Sequence, residues 1–191
     1  MIIREAIFAR GVVGPKNLME DDLPHVAFIG RSNVGKSSVI NSLVNNKKLA
    51  RSSSTAGRTQ EINFFLINRA FYFVDLPGFG YARGSHEKRN DILQLIYWYL
   101  FESEINQYKI VMILDARIGM TENDVEVYND LIEHNKDVVL VLNKIDKLNQ
   151  SEKQASLKKL KQIIGENKFL QYSAEKKTGV QELLDMICPI S

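Results

Sequence analysis

The chain has 191 residues, of which 45% are hydrophobic and 25% are charged, and this composition is typical of one globular domain of ordinary size. The formal net charge of +2 is too small to indicate a nucleic-acid partner by itself. Cys188 is the single cysteine, which excludes an internal disulfide framework and a cysteine-rich metal site. The amino-terminal stretch contains the charged residues Arg4, Glu5 and Arg10. It therefore matches neither a signal peptide nor a membrane span, and a cytoplasmic location is expected.

The chain opens with a short apolar run and a polar connection. Residues 2–8 predict a strand, and the connection that follows contains Pro15 and Pro24, which are typical of a loop. The sequence leaves open whether this strand joins the main sheet. We interpret 1–191 as a single domain, in which 1–24 form an extension and 25–188 form the core.

The most informative stretch is 25–46, HVAFIGRSNVGKSSVINSLVNN. The apolar run 26–29 predicts a buried strand, and a helix is expected from about Lys36. Between them, 30–37 match the pattern G-x-x-x-x-G-K-S, which is the phosphate-binding loop in the strand-then-helix context that it requires. Backbone N–H groups of such a loop, together with the positive end of the helix, bind phosphate oxygens.

The residue types in this loop predict separate roles. Lys36 places a cation against the outer phosphates, and Ser37 offers a hydroxyl to Mg²⁺. Gly30 and Gly35 stand where a β-carbon would block the phosphate or forbid the backbone angles. The alternative interpretation is an ordinary glycine-containing turn, and the motifs further along the chain argue against it.

Strands and helices alternate in the rest of the chain. A polar loop at 47–60 precedes apolar runs at 61–67 and 70–75, whose two-residue separation predicts an antiparallel hairpin. Helical spacing follows at about 87–102. The remaining predicted elements are a strand at 110–114, a helix at 121–135 with Thr121 as N-cap, a strand at 138–142, a helix at 151–164, a strand near 169–172 and a helix at 180–187. The alternation predicts an α/β fold of three layers, with a mostly parallel sheet, one antiparallel hairpin strand and helices on both faces.

Further motifs lie at the carboxyl ends of predicted strands, where open α/β sheets bind ligands. In Asp75-Leu-Pro-Gly78 the carboxylate would approach Mg²⁺ and the glycine N–H would meet a γ-phosphate. Thr59, in the polar loop, is placed to present its hydroxyl to Mg²⁺ and its backbone to the γ-phosphate. An isolated Asp-x-Pro-Gly sequence is usually only a turn.

A third motif, Asn143-Lys144-x-Asp146, predicts selection of guanine. The Asp146 carboxylate would accept hydrogen bonds from the ring N1–H and the exocyclic amine, which adenine cannot supply. Lys144 would lie along the base and the ribose. The pair Ser173-Ala174 fits a backbone donor to the guanine O6, and an ordinary strand-end turn remains the alternative there.

The predicted site is therefore a site for GTP or GDP with Mg²⁺. Its predicted catalytic residues are Lys36, Thr59, Gly78 and Asn33, and its predicted metal ligands are Ser37, Thr59 and Asp75. Its predicted nucleotide-binding residues are Gly30, Arg31, Ser32, Asn33, Val34, Gly35, Lys36, Ser37, Ser38, Thr55, Gly57, Arg58, Thr59, Asp75, Leu76, Pro77, Gly78, Asn143, Lys144, Asp146, Lys147, Tyr172, Ser173 and Ala174.

Across almost its whole length the chain resembles the translation-factor-related Ras-like GTPases, and more narrowly the EngB family (the YihA/YsxC group) of bacterial ribosome-assembly GTPases. The resemblance rests on GRSNVGKSSVINSL, TAGRTQEINFF, VDLPGFGYA and NKIDKL. It implies a GTPase switch in maturation of the large ribosomal subunit, with a role in cell division, septation and growth. Ala56 replaces a proline of many relatives, and Asn143 replaces a frequent threonine.

The resemblance also bears on hydrolysis. Ras-like enzymes often place a water-orienting glutamine directly after the glycine of Asp-x-x-Gly, and here that residue is Phe79. We therefore expect slow intrinsic hydrolysis. Related GTPases with asparagine at the position of Asn33 use it to hold K⁺ near the phosphates, so stimulation by K⁺ is expected.

Two loops are expected to act as switches, the polar loop at 47–60 that contains Thr59 (the first switch loop) and the loop that begins at Gly78 and continues through 79–89 (the second switch loop). A basic surface on and beside these loops indicates an RNA or ribosome contact, because neutralising phosphates is the sequence-independent part of RNA binding. Its residues are Lys47, Lys48, Arg51, Arg58, Arg83, Lys88 and Arg89. Lys158, Lys159 and Lys161 either extend it or form an ordinary solvated helix face. The expected partner is the large ribosomal subunit or its precursor, both rRNA and ribosomal proteins, with no membrane, no DNA and a monomeric protein. The alternatives are a signalling GTPase with a protein effector and a P-loop kinase or ATPase.

The remaining aromatic and histidine residues predict packing. Tyr97-Trp98-Tyr99 is split between helix faces, which favours core burial with partial exposure over a base-stacking platform. His25, His86 and His134 lack metal-ligand spacing, so structural or solvated roles are expected.

Overall fold

In the computed structural model, residues 1–14, 21–50, 61–79 and 86–189 are described, without the side chains of 86–89. The strands are β1 (Ala6–Val12), β2 (His25–Ile29), β3 (Ile62–Ile67), β4 (Phe71–Asp75), β5 (Gln107–Asp115), β6 (Val138–Asn143) and β7 (Phe169–Gln171). The α-helices are α1 (Lys36–Leu43), α2 (His86–Tyr97), α3 (Glu122–Glu133), α4 (Gln150–Ile164) and α5 (Val180–Ile187). A π-helical turn, Trp98–Glu102, continues α2, and a 3₁₀ turn covers Ile145–Lys147.

One seven-stranded sheet runs in the order β1-β3-β4-β2-β5-β6-β7. Strand β3 is antiparallel to both of its neighbours, β1 and β4. The pairs β2–β4, β2–β5, β5–β6 and β6–β7 are parallel. The predicted α/β class is therefore confirmed, with β3 as the antiparallel hairpin strand.

The amino-terminal strand joins the sheet at its edge, in a position that differs from the prediction. The apolar run 2–8 predicted a strand there, whereas the structure pairs Ala6–Val12 with β3. Residues 2–5 are instead held by Asn68, whose side chain accepts from the N–H groups of Arg4 (2.8 Å) and Glu5 (3.1 Å) and donates to the Ile2 carbonyl (3.0 Å). Residues 2–5 are thus hydrogen-bonded to the turn at Asn68, and the strand pairing with β3 begins only at Ala6.

The predicted hairpin is confirmed. Asn68 and Arg69 join β3 to β4 with φ values of 49° and 55°. Left-handed angles at both central residues are what a tight antiparallel hairpin needs, because this turn matches the twist of the strands.

Two hydrophobic clusters pack on opposite faces of the sheet. Strand β2 contributes to both, since alternate residues of a strand face opposite ways: Ala27 and Ile29 join one cluster, and Val26 and Phe28 join the other. The first cluster receives α2, the π-helical turn, α3 and α4 through Ile96, Tyr99, Tyr128, Leu131, Leu160 and Ile164. The second receives α1 and α5 through Val39, Ile40, Leu183, Leu184 and Ile187. The result is three layers, with the central strands β2 and β4 buried along their whole length.

Two local predictions are confirmed at the helices. Thr121 is the N-cap of α3, with a capping box that includes Asp124. In the π-helical turn, the Ser103 N–H donates to the Trp98 carbonyl at 2.9 Å, and Tyr99 is fully buried whereas Tyr97 is 46% exposed. None of the helices in the described ranges has the length and apolar character needed to cross a membrane.

His25 is buried among aromatic rings at the start of β2. Its side chain is edge-on to Phe64 and Tyr72, and its Nδ1 lies 3.2 Å from the Tyr99 hydroxyl. Burial lowers the pKa of His25 from 6.5 to about 4, and the Asp21 carboxylate opposes this only partly. The histidine is therefore neutral in the folded protein, which confirms a structural role.

We expect His25 to make the protein sensitive to acid. Because the folded pKa lies below the unfolded one, His25 contributes full stability above pH 6.5 and loses it as the pH falls towards 4. The free energy of unfolding should fall by up to about 3 kcal/mol across this window, at 1.36 kcal/mol per pKa unit. Urea unfolding at several pH values measures it.

His25→Gln keeps a hydrogen-bonding side chain without a proton to titrate, so it should flatten this pH dependence. The matched control is His134→Gln, because His134 is exposed at the end of α3 and its Nδ1 lies 2.8 Å from the Asp130 carbonyl. An unchanged slope in His25→Gln would refute the assignment.

Candidate nucleotide-binding site

The site is built at the carboxyl ends of the parallel strands. The loop Gly30–Gly35 leaves β2 and enters α1, and close packing explains both glycines. A β-carbon on Gly30 would lie 2.5 Å from the Ile113 carbonyl oxygen, and one on Gly35 would lie 2.6 Å from Asn143 Nδ2. Gly35 also has φ = 100°, which side chains rarely adopt. The predicted need for glycine at both positions is thus explained by neighbouring strands.

Lys36, Ser37 and Asp75 lie together at the end of the site that is expected to bind the phosphates. Ser37 Oγ donates to Asp75 Oδ2 at 3.1 Å, and Lys36 Nζ lies 3.8 Å from Asp75 Oδ1. Burial raises the pKa of Asp75, whereas Lys36 and the Ser37 hydrogen bond oppose the rise. Three predicted residues from β4 and α1 therefore lie in one cluster beside the loop.

The donor set in this cluster fits Mg²⁺. Asp75 Oδ1 is buried and has no hydrogen-bond partner within the described ranges, and with the Ser37 hydroxyl it supplies the oxygen ligands that Mg²⁺ prefers. Within the same ranges, no group of three His, Cys, Asp or Glu side chains is arranged to hold a metal. A Mg²⁺ bound mainly by phosphates and water needs no such group.

The start of the second switch loop contacts the phosphate-binding loop directly. The Ser32 N–H donates to the Phe79 carbonyl (3.1 Å) and Ser32 Oγ donates to the Gly78 carbonyl (3.3 Å). A β-carbon on Gly78 would lie 2.9 Å from Ser32 Oγ, so only glycine permits this approach. The Phe79 side chain is 3% exposed and packs in the core. Its phenyl ring carries no polar group that could orient a water molecule.

At the base end, Asn143 joins three segments. Its side chain is buried, donates to the Val34 carbonyl at 3.0 Å and accepts from the Ala174 N–H at 3.3 Å. The phosphate-binding loop, the end of β6 and the loop after β7 are thus fixed to one another. The Ala174 N–H is engaged by Asn143 in this structure, and its contact with guanine stays a prediction.

Asp146 lies beside this junction with one oxygen committed. Its Oδ1 accepts from Ser173 Oγ at 2.5 Å, whereas its buried Oδ2 lacks a hydrogen-bond partner among the described residues. Lys147 Nζ lies 3.4 Å from that Oδ2. Burial works against ionisation, but the hydrogen bond from Ser173 and the nearby positive charge of Lys147 outweigh it and lower the pKa of Asp146. An ionised acceptor with a free oxygen suits the paired donors of guanine.

Lys144 crosses from β6 to the phosphate-binding loop, and its partner Asp115 is a residue that sequence analysis missed. Lys144 Nζ donates to the Asn33 carbonyl (2.5 Å) and to Asp115 Oδ2 (2.8 Å). Arg117 also donates to Asp115, and these hydrogen bonds lower the pKa of Asp115 to about 2 although burial opposes it. Asp115 ends β5, so the rule that placed Asp75 and Asn143 in the site applies to it too.

Comparison with known proteins agrees with this geometry. The family model described as "50S ribosome-binding GTPase" matches residues 25–144, and the one described as "Elongation factor Tu GTP binding domain" matches 108–190. A probable GTP-binding protein EngB from Lactobacillus helveticus is 42% identical over 187 residues, which is 96% of this chain and 95% of that protein. The chain belongs to the EngB family of GTP-binding proteins. This confirms the resemblance seen in the motifs and identifies the site as that of a P-loop GTPase.

Solved structures extend the comparison to the fold. The crystal structure of a probable GTP-binding protein engB is 25% identical, with a TM-score of 0.72 over 85% of this chain and 96% of that one. A structure of NFeoB from S. thermophilus bound to GDP.AlF4- and K+ is also 25% identical, with a TM-score of 0.64 over 86% of this chain and 61% of that one. The EngB fold therefore extends across most of the described chain.

Two of the residues predicted for this EngB-family site lie in the buried core next to it. Leu76 and Tyr172 are buried; the Leu76 N–H donates to the Phe28 carbonyl at 3.1 Å, and the Tyr172 hydroxyl lies 2.6 Å from Ser42 Oγ. The predicted residues Thr55, Gly57, Arg58 and Thr59 lie outside the described residues.

Proposed function

We propose that this EngB-family GTPase acts as a nucleotide-dependent switch in the assembly of the large ribosomal subunit. The observation that carries the proposal is the match of residues 25–144 to the family described as "50S ribosome-binding GTPase". The guanine-selecting geometry of Asp146 supports the choice of nucleotide. We further infer a cytoplasmic location, a monomer with neither DNA nor membrane as partner, and a contribution to cell division, septation and growth that follows from ribosome supply.

The residues of the site explain how the protein would respond to whether GTP or GDP is bound. The phosphate-binding loop and Lys36 bind the phosphates, and Ser37 and Asp75 would hold Mg²⁺, which neutralises charge on the transferred phosphoryl group. The Gly78 N–H would reach a γ-phosphate, so its loop responds to whether GTP or GDP is bound. Thr59 is proposed to do the same from the first switch loop.

The proposed ribosomal contact is a basic surface. Lys47 and Lys48, in the turn after α1, are exposed to solvent. Lys158, Lys159 and Lys161 are also exposed along α4, which packs on the opposite face of the sheet, so they form a second, separate basic patch. The other predicted basic residues, Arg51, Arg58, Arg83, Lys88 and Arg89, lie where side chains are not described. Exposed lysines neutralise RNA phosphates without reading sequence, which suits rRNA.

Sedimentation with purified large ribosomal subunits tests the proposal. We expect the chain to pellet with the particles in a non-hydrolysable GTP analogue and to remain largely in the supernatant in GDP or without nucleotide. Small ribosomal subunits provide the control particle. Absence of binding in every nucleotide state would contradict the ribosomal role and favour a signalling GTPase with a protein effector.

We also propose that hydrolysis is slow without a partner and is stimulated by K⁺. Asn33 is exposed, its backbone is left-handed (φ 68°), and its carbonyl accepts a hydrogen bond from Lys144. The NFeoB structure with GDP.AlF4- and K+ supports a cation in a related site. A K⁺ near the phosphates would supply part of the charge that an arginine finger provides, which is worth about 10³–10⁵-fold in rate.

We expect single-turnover GTP hydrolysis to be about tenfold faster in K⁺ than in Na⁺ at equal ionic strength, a fraction of the arginine-finger effect. Asn33→Ala should remove the difference. Asn45→Ala is the matched control, because Asn45 is also exposed and left-handed (φ 50°) but lies after α1. Equal rates in the two salts for the unmodified protein would refute the K⁺ site.

A further inference from the structure

Arg31, the second residue of the phosphate-binding loop, contacts two other parts of the protein. Its backbone forms a parallel bridge with Phe79, at the start of the second switch loop. Its Nε lies 2.9 Å from Asp124 Oδ2, in the first turn of α3. Arg31 is a predicted nucleotide-binding residue through the backbone of this loop, whereas its side chain is paired with Asp124.

Burial makes the contact with Asp124 significant. The Asp124 side chain is fully buried, whereas the Arg31 side chain is 18% exposed. Asp124 Oδ2 also accepts from the Thr121 N–H (2.9 Å), as one half of the capping box of α3, and from the Thr121 hydroxyl (2.7 Å). A capping box alone needs no cation, but a buried carboxylate is strongly disfavoured without one. Arg31 is the cation placed beside it.

The Arg31–Asp124 pair lies one residue from the contact between Ser32 and Gly78, the glycine that is expected to meet the γ-phosphate. Ser32, next to Arg31, donates its N–H to Phe79 and its hydroxyl to the Gly78 carbonyl. A fixed Arg31 therefore fixes Ser32, and Ser32 sets the position of Gly78. A continuous chain of contacts joins α3, the phosphate-binding loop and the switch.

We propose that Arg31 is a positioning residue, whose ion pair with Asp124 anchors the phosphate-binding loop to α3 and thereby sets the position of Gly78 for the γ-phosphate. The inference rests on GTP binding by this loop and is independent of the ribosomal role. It requires Asp124 to act on nucleotide affinity although it belongs to α3 and has no part in the predicted nucleotide contacts.

The test is the equilibrium affinity for fluorescent GDP and for a fluorescent non-hydrolysable GTP analogue, with the melting temperature measured alongside. Arg31→Ala and Asp124→Asn should each weaken binding of the GTP analogue about tenfold, the lower end of the range for supporting residues around metal sites, and of GDP only about threefold. Arg31→Lys keeps the cation and should recover most of the loss. The double variant should be no weaker than either single variant, because both remove one shared interaction.

The exposed ion pair between Arg69 and Glu5, 3.0 Å apart at the opposite end of the sheet, provides the control. Arg69→Ala should leave both affinities unchanged. If Arg31→Ala does not fold, Asp124→Asn, which keeps the side-chain shape, and Arg31→Lys carry the test. An unchanged ratio of GTP-analogue to GDP affinity in Asp124→Asn, even with a lowered melting temperature, would overturn the proposal. Additive losses in the double variant would overturn it as well.

Discussion

Asp146→Asn is expected to reduce the affinity for GDP by roughly 10²–10⁴-fold, because sites built to hydrogen-bond a ligand discriminate strongly when one partner is removed. The amide nitrogen would face the guanine N1–H or amine as a second donor. Xanthine carries a carbonyl where guanine carries the amine, so the variant should gain affinity for xanthosine diphosphate. The change in base preference separates loss of recognition from loss of folding.

Isothermal titration with both diphosphates measures this exchange. Ser173→Ala removes the hydrogen bond that orients Asp146 Oδ1 (2.5 Å). It should lower the affinity for GDP without creating affinity for xanthosine diphosphate. Glu175→Gln is the matched control, since Glu175 pairs with Lys147 (2.6 Å) beside Asp146 and is exposed. If Asp146→Asn keeps its preference for guanine, the assignment of this carboxylate fails.

Asn143→Ala is expected to affect stability and nucleotide binding together. It leaves the buried Val34 carbonyl and Ala174 N–H without their partner, and an unsatisfied buried group costs about 1–3 kcal/mol. We expect a loss of about 2–4 kcal/mol in the free energy of unfolding, from two such groups partly recovered by water. GDP affinity should fall by about 100-fold, the upper end for residues that support a site, because the loops lose their common anchor.

Asn143→Thr is the informative comparison. A threonine hydroxyl can donate to one group and accept from the other, so this variant should keep most of the stability and the affinity. Urea unfolding and fluorescent GDP titration measure both quantities. Equal losses in the threonine and alanine variants would show that the amide is needed for its shape and not for its two hydrogen bonds.

The regular elements were predictable where their pattern is strong. Strand 138–142 and helix 180–187 were located within one residue, because both carry a periodic or continuous apolar signal. Strand β1 was predicted at 2–8 and lies at Ala6–Val12. An edge strand with most of its residues partly or fully exposed has little apolar pattern to set its bounds, so pairing with β3 and the Asn68 hydrogen bonds decide them.

The candidate site shows the same division. Lys36, Asp75 and Asp146 were predicted because phosphate and guanine recognition each impose a short motif on consecutive residues. Asp124 was missed because it is a lone carboxylate whose partner, Arg31, lies far away in the sequence. Asp115 was missed although it ends a strand as Asp75 does, because its contact with the distant Lys144 is visible only in the fold. No local spacing records such a pair.

The sequence by itself determined the motifs that are expected to bind phosphate and guanine, and the order of strands and helices that carries them. Those properties are local, because turns, caps and backbone N–H groups act over a few residues. The tertiary structure alone decided how the segments hold one another, through Asn143 between three loops and Arg31 beside buried Asp124. Such contacts arise only when the sheet brings strand ends together, since a buried charge or amide is satisfied by whichever group the fold places next to it.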